Sequence, residues 1–311
     1  MNPITNILIQ YDTMILDGAL ATELEKRDCD LKDPLWSAKI LMDNPDLISA
    51  VHRDYFAAGA DCVITASYQA TLAGFMARGL SESEAEELIR QAVLIARRTR
   101  DDFWEEKPDH GNRPRPLVAA SVGPYGAFLA DGSEYRGDYQ LSEDELIEFH
   151  RRRMQTLIAA GPDLLACETL PCFAEARALA RLLADHPGVY AWISFTAKDG
   201  RHTRNGERIS ECAKWLDDYE QVAAIGINCT EPRFIPELID EIRQSTGKPI
   251  LVYPNSGELY DPVQKCWFAA GAENFAALAI EWHSRGARII GGCCRTGPEE
   301  IRAIRQKLIS Q

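Results

Sequence analysis

Three of the nine cysteines in this 311-residue chain are spaced for chemistry. Cys229 closes the stretch Gly226-Ile-Asn-Cys229, and Cys293 and Cys294 close Gly291-Gly-Cys-Cys294. Both stretches follow short apolar runs, so these thiols fall where a buried strand gives way to a loop. Adjacent cysteines do not readily bridge each other, whereas a soft-ligand metal ion accepts neighbouring thiolates. Zinc takes tetrahedral sulfur and nitrogen ligands, and a catalytic zinc keeps one of its four positions open. The trio therefore predicts a Zn2+ site with room for a substrate thiol, which the ion would hold as thiolate although a free thiol has a pKa of about 8.5. Gly291 and Gly292 would let the backbone bend around the metal. Cys172 and Cys266 lie near enough to the same loops to be minor alternative ligands. Cys62, Cys167 and Cys212 read as small apolar core residues, and Cys29 as a loop residue. No Cys-x-x-Cys spacing points to an iron–sulfur cluster.

The elements that must bring these thiols together are short apolar runs alternating with amphipathic helical stretches. The runs are 14–16, 62–65, 117–122, 164–167, 191–195, 223–227, 250–253 and 288–290. Helical periodicity occupies 45–58, 81–106, 142–160, 172–185, 208–219, 232–245, 272–285 and 298–309. Ser81 with Glu84 and Ser142 with Glu145 form reciprocal caps at two helix starts. The joints Ala58-Gly-Ala-Asp61, Ala160-Gly-Pro-Asp163 and Arg285-Gly-Ala-Arg288 place a glycine where a helix ends before the next strand. Eight such units in series predict an α/β fold, a single (β/α)8 TIM-type barrel over residues 1–311; an open doubly wound sheet is the alternative. Chemistry in such a barrel sits at the C-terminal ends of the strands. The polar residues there are Asp17, Ser67, Tyr68, Glu168, Thr169, Thr196, Asn228, Cys229, Asn255, Ser256, Cys293 and Cys294.

Hydrophobic content of 46% supplies a large core, and a net charge of -13 disfavours nucleic acid as a partner. The N-terminus lacks the pattern of a signal peptide and no apolar run is long enough to span a membrane, so a cytoplasmic protein is expected. Long loops at 123–141, 198–207 and 255–271 are candidate lid or donor-binding elements. Tyr68, Tyr125, Tyr135 and Tyr139 stand on rim loops, where an aromatic face could meet a cation, although each alone is better explained by packing.

With Asp17-Gly-Ala-Leu-Ala-Thr22 at its start, the cysteine trio resembles the homocysteine S-methyltransferase family over nearly the whole chain. Leu35-Trp-Ser-Ala38, Thr65-Ala-Ser-Tyr-Gln69, Ser121-Val-Gly-Pro-Tyr-Gly126, Asp131-Gly-Ser-Glu-Tyr-Arg-Gly137 and Val252-Tyr-Pro-Asn-Ser-Gly257 are similar to its bacterial and plant branch that uses S-methylmethionine. The resemblance implies zinc-dependent methyl transfer from S-methylmethionine or S-adenosylmethionine to L-homocysteine, yielding methionine. It also implies Cys229, Cys293 and Cys294 as zinc ligands, with Asp17 and Glu168 on the substrate ammonium. Charge-assisted hydrogen bonds suit that pair to the role. Ser67, Tyr68 and Thr169 are further substrate-binding candidates, with Ser67 and Thr169 placed for the carboxylate. Asn228 is a candidate to orient the metal ligands. Two alternatives remain: the same chemistry with betaine as donor, and a noncatalytic zinc or redox sensor, which would have no need of the two carboxylates.

Overall fold

The computed structural model describes residues 2–31, 33, 35–106, 110–111, 113–261, 266–268 and 274–309, with backbone only for 259–261 and 266–268. Eight strands, β1 (Met14–Ile15), β2 (Cys62–Ile64), β3 (Leu117–Val122), β4 (Leu164–Leu170), β5 (Ala191–Phe195), β6 (Val222–Asn228), β7 (Ile250–Tyr253) and β8 (Ala287–Ile290), form one sheet. Their order is β1-β8-β7-β6-β5-β4-β3-β2, and every pairing is parallel. The ring closes between β1 and β2 through a Leu16–Cys62 bridge. Backbone bonds from Asp17 N to Cys62 O (3.1 Å) and from Asp61 N to Ile15 O (2.7 Å) complete that seam. Closure removes the free edges that a parallel sheet would otherwise expose. The predicted TIM-type barrel is the observed fold.

The helices between strands follow the expected periodicity. Both reciprocal caps form, at Ser81 with Glu84 and at Ser142 with Glu145. At the repeated joint, Gly59, Gly161 and Gly286 take φ of +113°, +73° and +119°, which a side chain would strain. The stretch 232–245 departs from expectation: it opens as a 3-10 turn, Pro232–Phe234, before the helix Ile235–Arg243. Proline lacks the N–H that a continuous helix needs beyond its first turn, and Pro236 lies inside this stretch. The helix Pro3–Gln10 has no counterpart among the predicted elements. Its Ile4 and Ile7 join the barrel-interior residues Met14, Leu164, Trp192 and Ile289. The loop after β7 carries an antiparallel hairpin, Leu259–Asp261 with Cys266–Phe268.

Alternation along each strand separates two cores. Leu165, Cys167, Ile225, Ile227, Ile250 and Val252 face the helices, whereas Leu164, Ala166, Ala224 and Leu251 face the barrel axis. The same parity carries upward. It turns Ser121 of β3, Glu168 of β4, Ser194 of β5, Asn228 of β6 and Tyr253 of β7 inward, as a polar layer above the apolar interior.

Candidate active site

The polar layer is hydrogen-bonded from strand to strand. Ser121 Oγ donates to Glu168 Oε1, and Tyr253 Oη donates to Glu168 Oε2 at 3.2 Å. Trp192 Nε1 donates to Tyr253 Oη at 3.1 Å, and Ser194 Oγ lies 2.8 Å from the same oxygen. Asn228 Oδ1 accepts from Thr169 N at 2.7 Å, while its Nδ2 donates to Thr169 Oγ1 at 2.7 Å. Thr169 takes φ +58°, and this two-point grip holds the unusual backbone at the end of β4. Asn228 thus fixes the strand exit that carries Glu168.

Two carboxylates are buried in this region. Burial lifts Glu168 to about 7, despite the hydroxyls of Ser121 and Tyr253 that favour its charged form. Asp17, 2% exposed, is raised well above the usual carboxylate range, first by burial and then by the Glu168 charge. Its Oδ2 accepts from Ile64 N at 2.8 Å, but its buried Oδ1 has no partner among the described residues. Two desolvated acids raised in concert form a place that a cation would stabilise.

The thiols meet on the same rim. Cys229 Sγ lies 3.8 Å from Cys294 Sγ, and Cys293 Sγ lies 4.0 Å from Cys294 Sγ. All three sulfurs fall within 4.8 Å of one another, the one such cluster among the described residues. A tetrahedral ion with metal–sulfur bonds of about 2.3 Å needs sulfurs about 3.8 Å apart, so the donor set fits a metal. Strand parity alone would turn Cys229 toward the helices, with Ile225 and Ile227. Its φ of +48° breaks that parity. Cys293 N donates to Pro254 O at 2.8 Å and Ser256 N donates to Cys294 O at 3.0 Å, tying the exits of β7 and β8 together. Hydrogen bonds from Cys293 and then Cys294 lower the Cys229 thiol well below its ordinary range, while those two are raised.

Gly291 and Gly292 do not serve by bending, since neither has positive φ. They provide space: a Cβ on Gly291 would come 2.8 Å from Asp17 O, and one on Gly292 would come 2.2 Å from Thr296 Oγ1. Thr296 Oγ1 in turn donates to Cys293 O at 2.6 Å.

The loop 123–141 comes over the thiols. It contains the helix Tyr125–Leu129 and the 3-10 turn Ser133–Tyr135. Tyr135 Oη stands 3.7 Å from Cys229 Sγ, and the Arg204 guanidinium, from the loop after β5, lies over the Tyr135 ring at 5.6 Å. Glu134, beside it, is lifted to about 7 by burial. Both ends of this loop are fastened to Glu175, which is fully buried. Tyr125 N (2.6 Å) and His150 Nε2 (2.8 Å) meet its Oε1, and Tyr139 Oη donates to its Oε2.

The family profile described as homocysteine S-methyltransferase matches residues 14–308. The chain belongs to the homocysteine S-methyltransferase family. It is 62% identical over 305 residues to homocysteine S-methyltransferase YbgG of Bacillus subtilis, covering 98% of this chain and 97% of that one. Identity to homocysteine S-methyltransferase of Escherichia coli is 50%, covering 98% of each. The crystal structure of the E. coli homocysteine methyltransferase MmuM in its metallated form superposes with a TM-score of 0.89 at 48% identity, covering 98% of this chain and 100% of that one. This is a family of methyl-transferring enzymes.

Within that family frame, Asp17, Glu168, Thr169, Asn228 and the three cysteines gather at one end of the barrel. Ser67 does not present its hydroxyl there. It is fully buried, donates to Ser121 O at 2.8 Å and sits 2.7 Å from Thr65 Oγ1, which makes it part of the wall between β2 and β3. Tyr68 packs edge-on against Trp36, with ring centroids 6.1 Å apart. Cys172 is not a ligand alternative: it is buried, lies 3.9 Å from Tyr139 Oη and is pushed up to about 12. Cys266 falls in a stretch whose side chains are outside the described residues. Cys62, Cys167 and Cys212 are core residues, as expected. Tyr125 and Tyr139 pack on one another, with centroids 5.3 Å apart. Sequence reasoning passed over Ser121 and Tyr253 as partners of Glu168, although the parity of β3 and β7 carries that signal.

Proposed function

We propose that this chain transfers a methyl group from S-methylmethionine, or from S-adenosylmethionine, to the thiol of L-homocysteine, with Zn2+ held by Cys229, Cys293 and Cys294. One observation carries the reading: three convergent thiols share a barrel rim with two buried carboxylates, of which Asp17 keeps an oxygen without a partner among the described residues. A noncatalytic metal or redox sensor would have use for the thiols and none for the acids. A bound zinc ion supplies Lewis acidity that keeps a substrate thiol ionised near neutral pH.

The remaining work belongs to the chain's own groups. Asp17 and Glu168 bind the substrate ammonium and hold homocysteine in one orientation. Asn228 donates to Thr169 Oγ1. That leaves the Thr169 hydroxyl proton for the substrate carboxylate, with Tyr68 beside it, a role better suited to this pair than to Ser67, whose hydroxyl donates to Ser121 O. The loop 123–141 covers the thiols and excludes water. In the transfer, the bond from methyl to sulfonium sulfur breaks with its electron pair going to the leaving sulfur, and the acceptor thiolate forms the new bond. The leaving group departs as a neutral thioether, so no general acid is required.

The described cysteines are free thiols, which supports a reducing cytoplasm as the compartment. Among the described residues, no helix is long and apolar enough to cross a membrane.

The test is methionine formation from homocysteine and S-methylmethionine, with zinc measured on the same sample and on Cys229→Ala. Activity should require both zinc and Cys229, and Asp17→Asn should raise the KM for homocysteine by about 10- to 100-fold. No turnover by zinc-loaded protein with S-methylmethionine, S-adenosylmethionine or betaine would overturn the reading in favour of a metal sensor.

A further inference from the structure

We propose that Glu134 selects amino-acid sulfonium donors, its carboxylate pairing with the α-ammonium group of the donor and not with the sulfonium centre. The inference rests on the methyl-transfer reading above and adds a group that decides which donors are accepted.

Glu134 sits in the 3-10 turn Ser133–Tyr135, one residue before the tyrosine whose hydroxyl reaches Cys229. Its backbone is closely seated. A Cβ at Gly126 would come 2.4 Å from Glu134 N and 2.8 Å from its Cα, so the turn rests on the helix Tyr125–Leu129 at the one residue with no side chain in the way. Tyr135 N donates to Gly132 O at 3.0 Å and Ser133 N donates to Asp131 Oδ1 at 2.9 Å, which holds the turn from its other side. The carboxylate is thus placed by the fold.

What it meets there is incomplete. Glu134 Oε2 is buried and has no hydrogen-bond partner among the described residues. The neighbouring cations are turned to other work. Arg136 is half exposed and reaches Asp138 at 3.3 Å and Asp131 at 3.7 Å. Arg204 lies over the Tyr135 ring and approaches Thr196 Oγ1 at 3.5 Å. Glu134 feels repulsion from Cys229 and Asp131, which outweighs the attraction of Arg136 further round the loop. A desolvated carboxylate in that setting gains most from a bound cation.

The acceptor's ammonium already has Asp17 and Glu168. The second cation to enter is the donor, and an amino-acid sulfonium carries two positive centres. Its sulfonium charge vanishes as the methyl leaves, so an anion against that centre would stabilise the ground state more than the transition state. The α-ammonium keeps its charge throughout, and holding it strengthens both states alike. A group acting this way lowers KM without changing kcat.

The experiment compares two donors: S-methylmethionine and dimethylsulfoniopropionate, a sulfonium without an α-ammonium. For Glu134→Gln, the KM for S-methylmethionine should rise about 10- to 100-fold with kcat within about threefold, and the KM for dimethylsulfoniopropionate should not change. Glu134→Asp, which retains the charge, should recover part of the discrimination. Calorimetric binding of S-methylmethionine to wild type and Glu134→Gln gives the same comparison without turnover. If wild type binds S-methylmethionine but transfers no methyl group, the functional reading fails while the Glu134 assignment is still decided by binding. An equal loss for both donors, a loss confined to kcat, or no change in donor KM or affinity overturns the assignment. Unchanged homocysteine affinity and unfolding midpoint confirm that the variants are folded. Should Glu134→Gln not fold, the Glu134→Asp variant and the wild-type KM ratio of the two donors decide: a ratio near one overturns the assignment.

Discussion

Replacing Tyr253 by Phe removes a single oxygen from the centre of the polar layer, and the structure says what each neighbour loses. That oxygen accepts from Trp192 Nε1 at 3.1 Å, lies 2.8 Å from Ser194 Oγ and donates to Glu168 Oε2 at 3.2 Å. Ser194 retains Asn228 Oδ1 at 2.8 Å, so it is not orphaned. Trp192, wholly buried, has only a donor and is left unsatisfied. Together with the lost bond to a carboxylate, the expected destabilisation is about 2–4 kcal/mol, read by denaturant unfolding. Glu168 already stands at about 7 because of burial, and the Tyr253 bond opposes that rise. Removing a hydrogen bond to the charged form should raise it by a further one to two pH units or so. Glu168 is raised on folding, so its stabilising contribution is present on the acid side and is lost as pH rises through about 7; in Tyr253→Phe that loss moves to higher pH. The functional consequence has the same sign. The acidic limb of kcat/KM for homocysteine should move to higher pH, with roughly tenfold weaker binding at pH 7 and convergence with wild type on the alkaline side. Superimposable pH profiles would refute the coupling of Tyr253 to Glu168, whatever the change in stability.

Two other positions separate anchoring from chemistry. Glu175→Ala leaves Tyr125 N, His150 and Tyr139 without their acceptor and should cost about 3 kcal/mol, with new protease sensitivity within 123–141. Glu175→Gln can still accept at one atom and donate to Tyr139 at the other, so it should stay near wild type; equal sensitivity of the two variants would show that Glu175 does not anchor the loop. Gly292→Ala drives a Cβ into Thr296 and so shifts the segment carrying Cys293 and Cys294. It should weaken zinc retention in competition with a chelator by tenfold or more while the unfolding midpoint moves little, and unchanged retention would remove the spacing argument.

The barrel was legible in the sequence because its signals are local. Apolar runs, reciprocal caps such as Ser142 with Glu145, and glycine joints such as Ala58-Gly-Ala-Asp61 each act within a few residues. The helix Pro3–Gln10 carried no such clarity, since its two buried residues, Ile4 and Ile7, make too short a stripe to stand out. The thiol rim was legible because chemistry restricts residue type: three cysteines at strand ends have few other uses.

What was missed follows from how strands present side chains. A residue at a strand end was read as a rim residue by position alone, yet period-two parity decides whether it faces the axis, the helices or the neighbouring strand. Parity extended through β3 and β7 would have found Ser121 and Tyr253, because Ala119 and Leu251 below them face the axis. Parity would also have failed at Cys229, which follows two outward-facing residues of β6 at alternate positions and reaches the site only by a φ of +48°. Such a conformation costs a non-glycine residue roughly 1–3 kcal/mol. The thiols that Cys229 meets, those of Cys293 and Cys294, lie at the far end of the chain, so no local pattern records it. Ser67 shows the converse: its position after a strand suggested a free hydroxyl, but its partner Ser121 O lies on the adjacent strand. The strand ends of this barrel therefore divide by direction: the Ser67 hydroxyl is used up within the wall between β2 and β3, whereas the acids Asp17 and Glu168 and the three thiols converge on the rim and form the site.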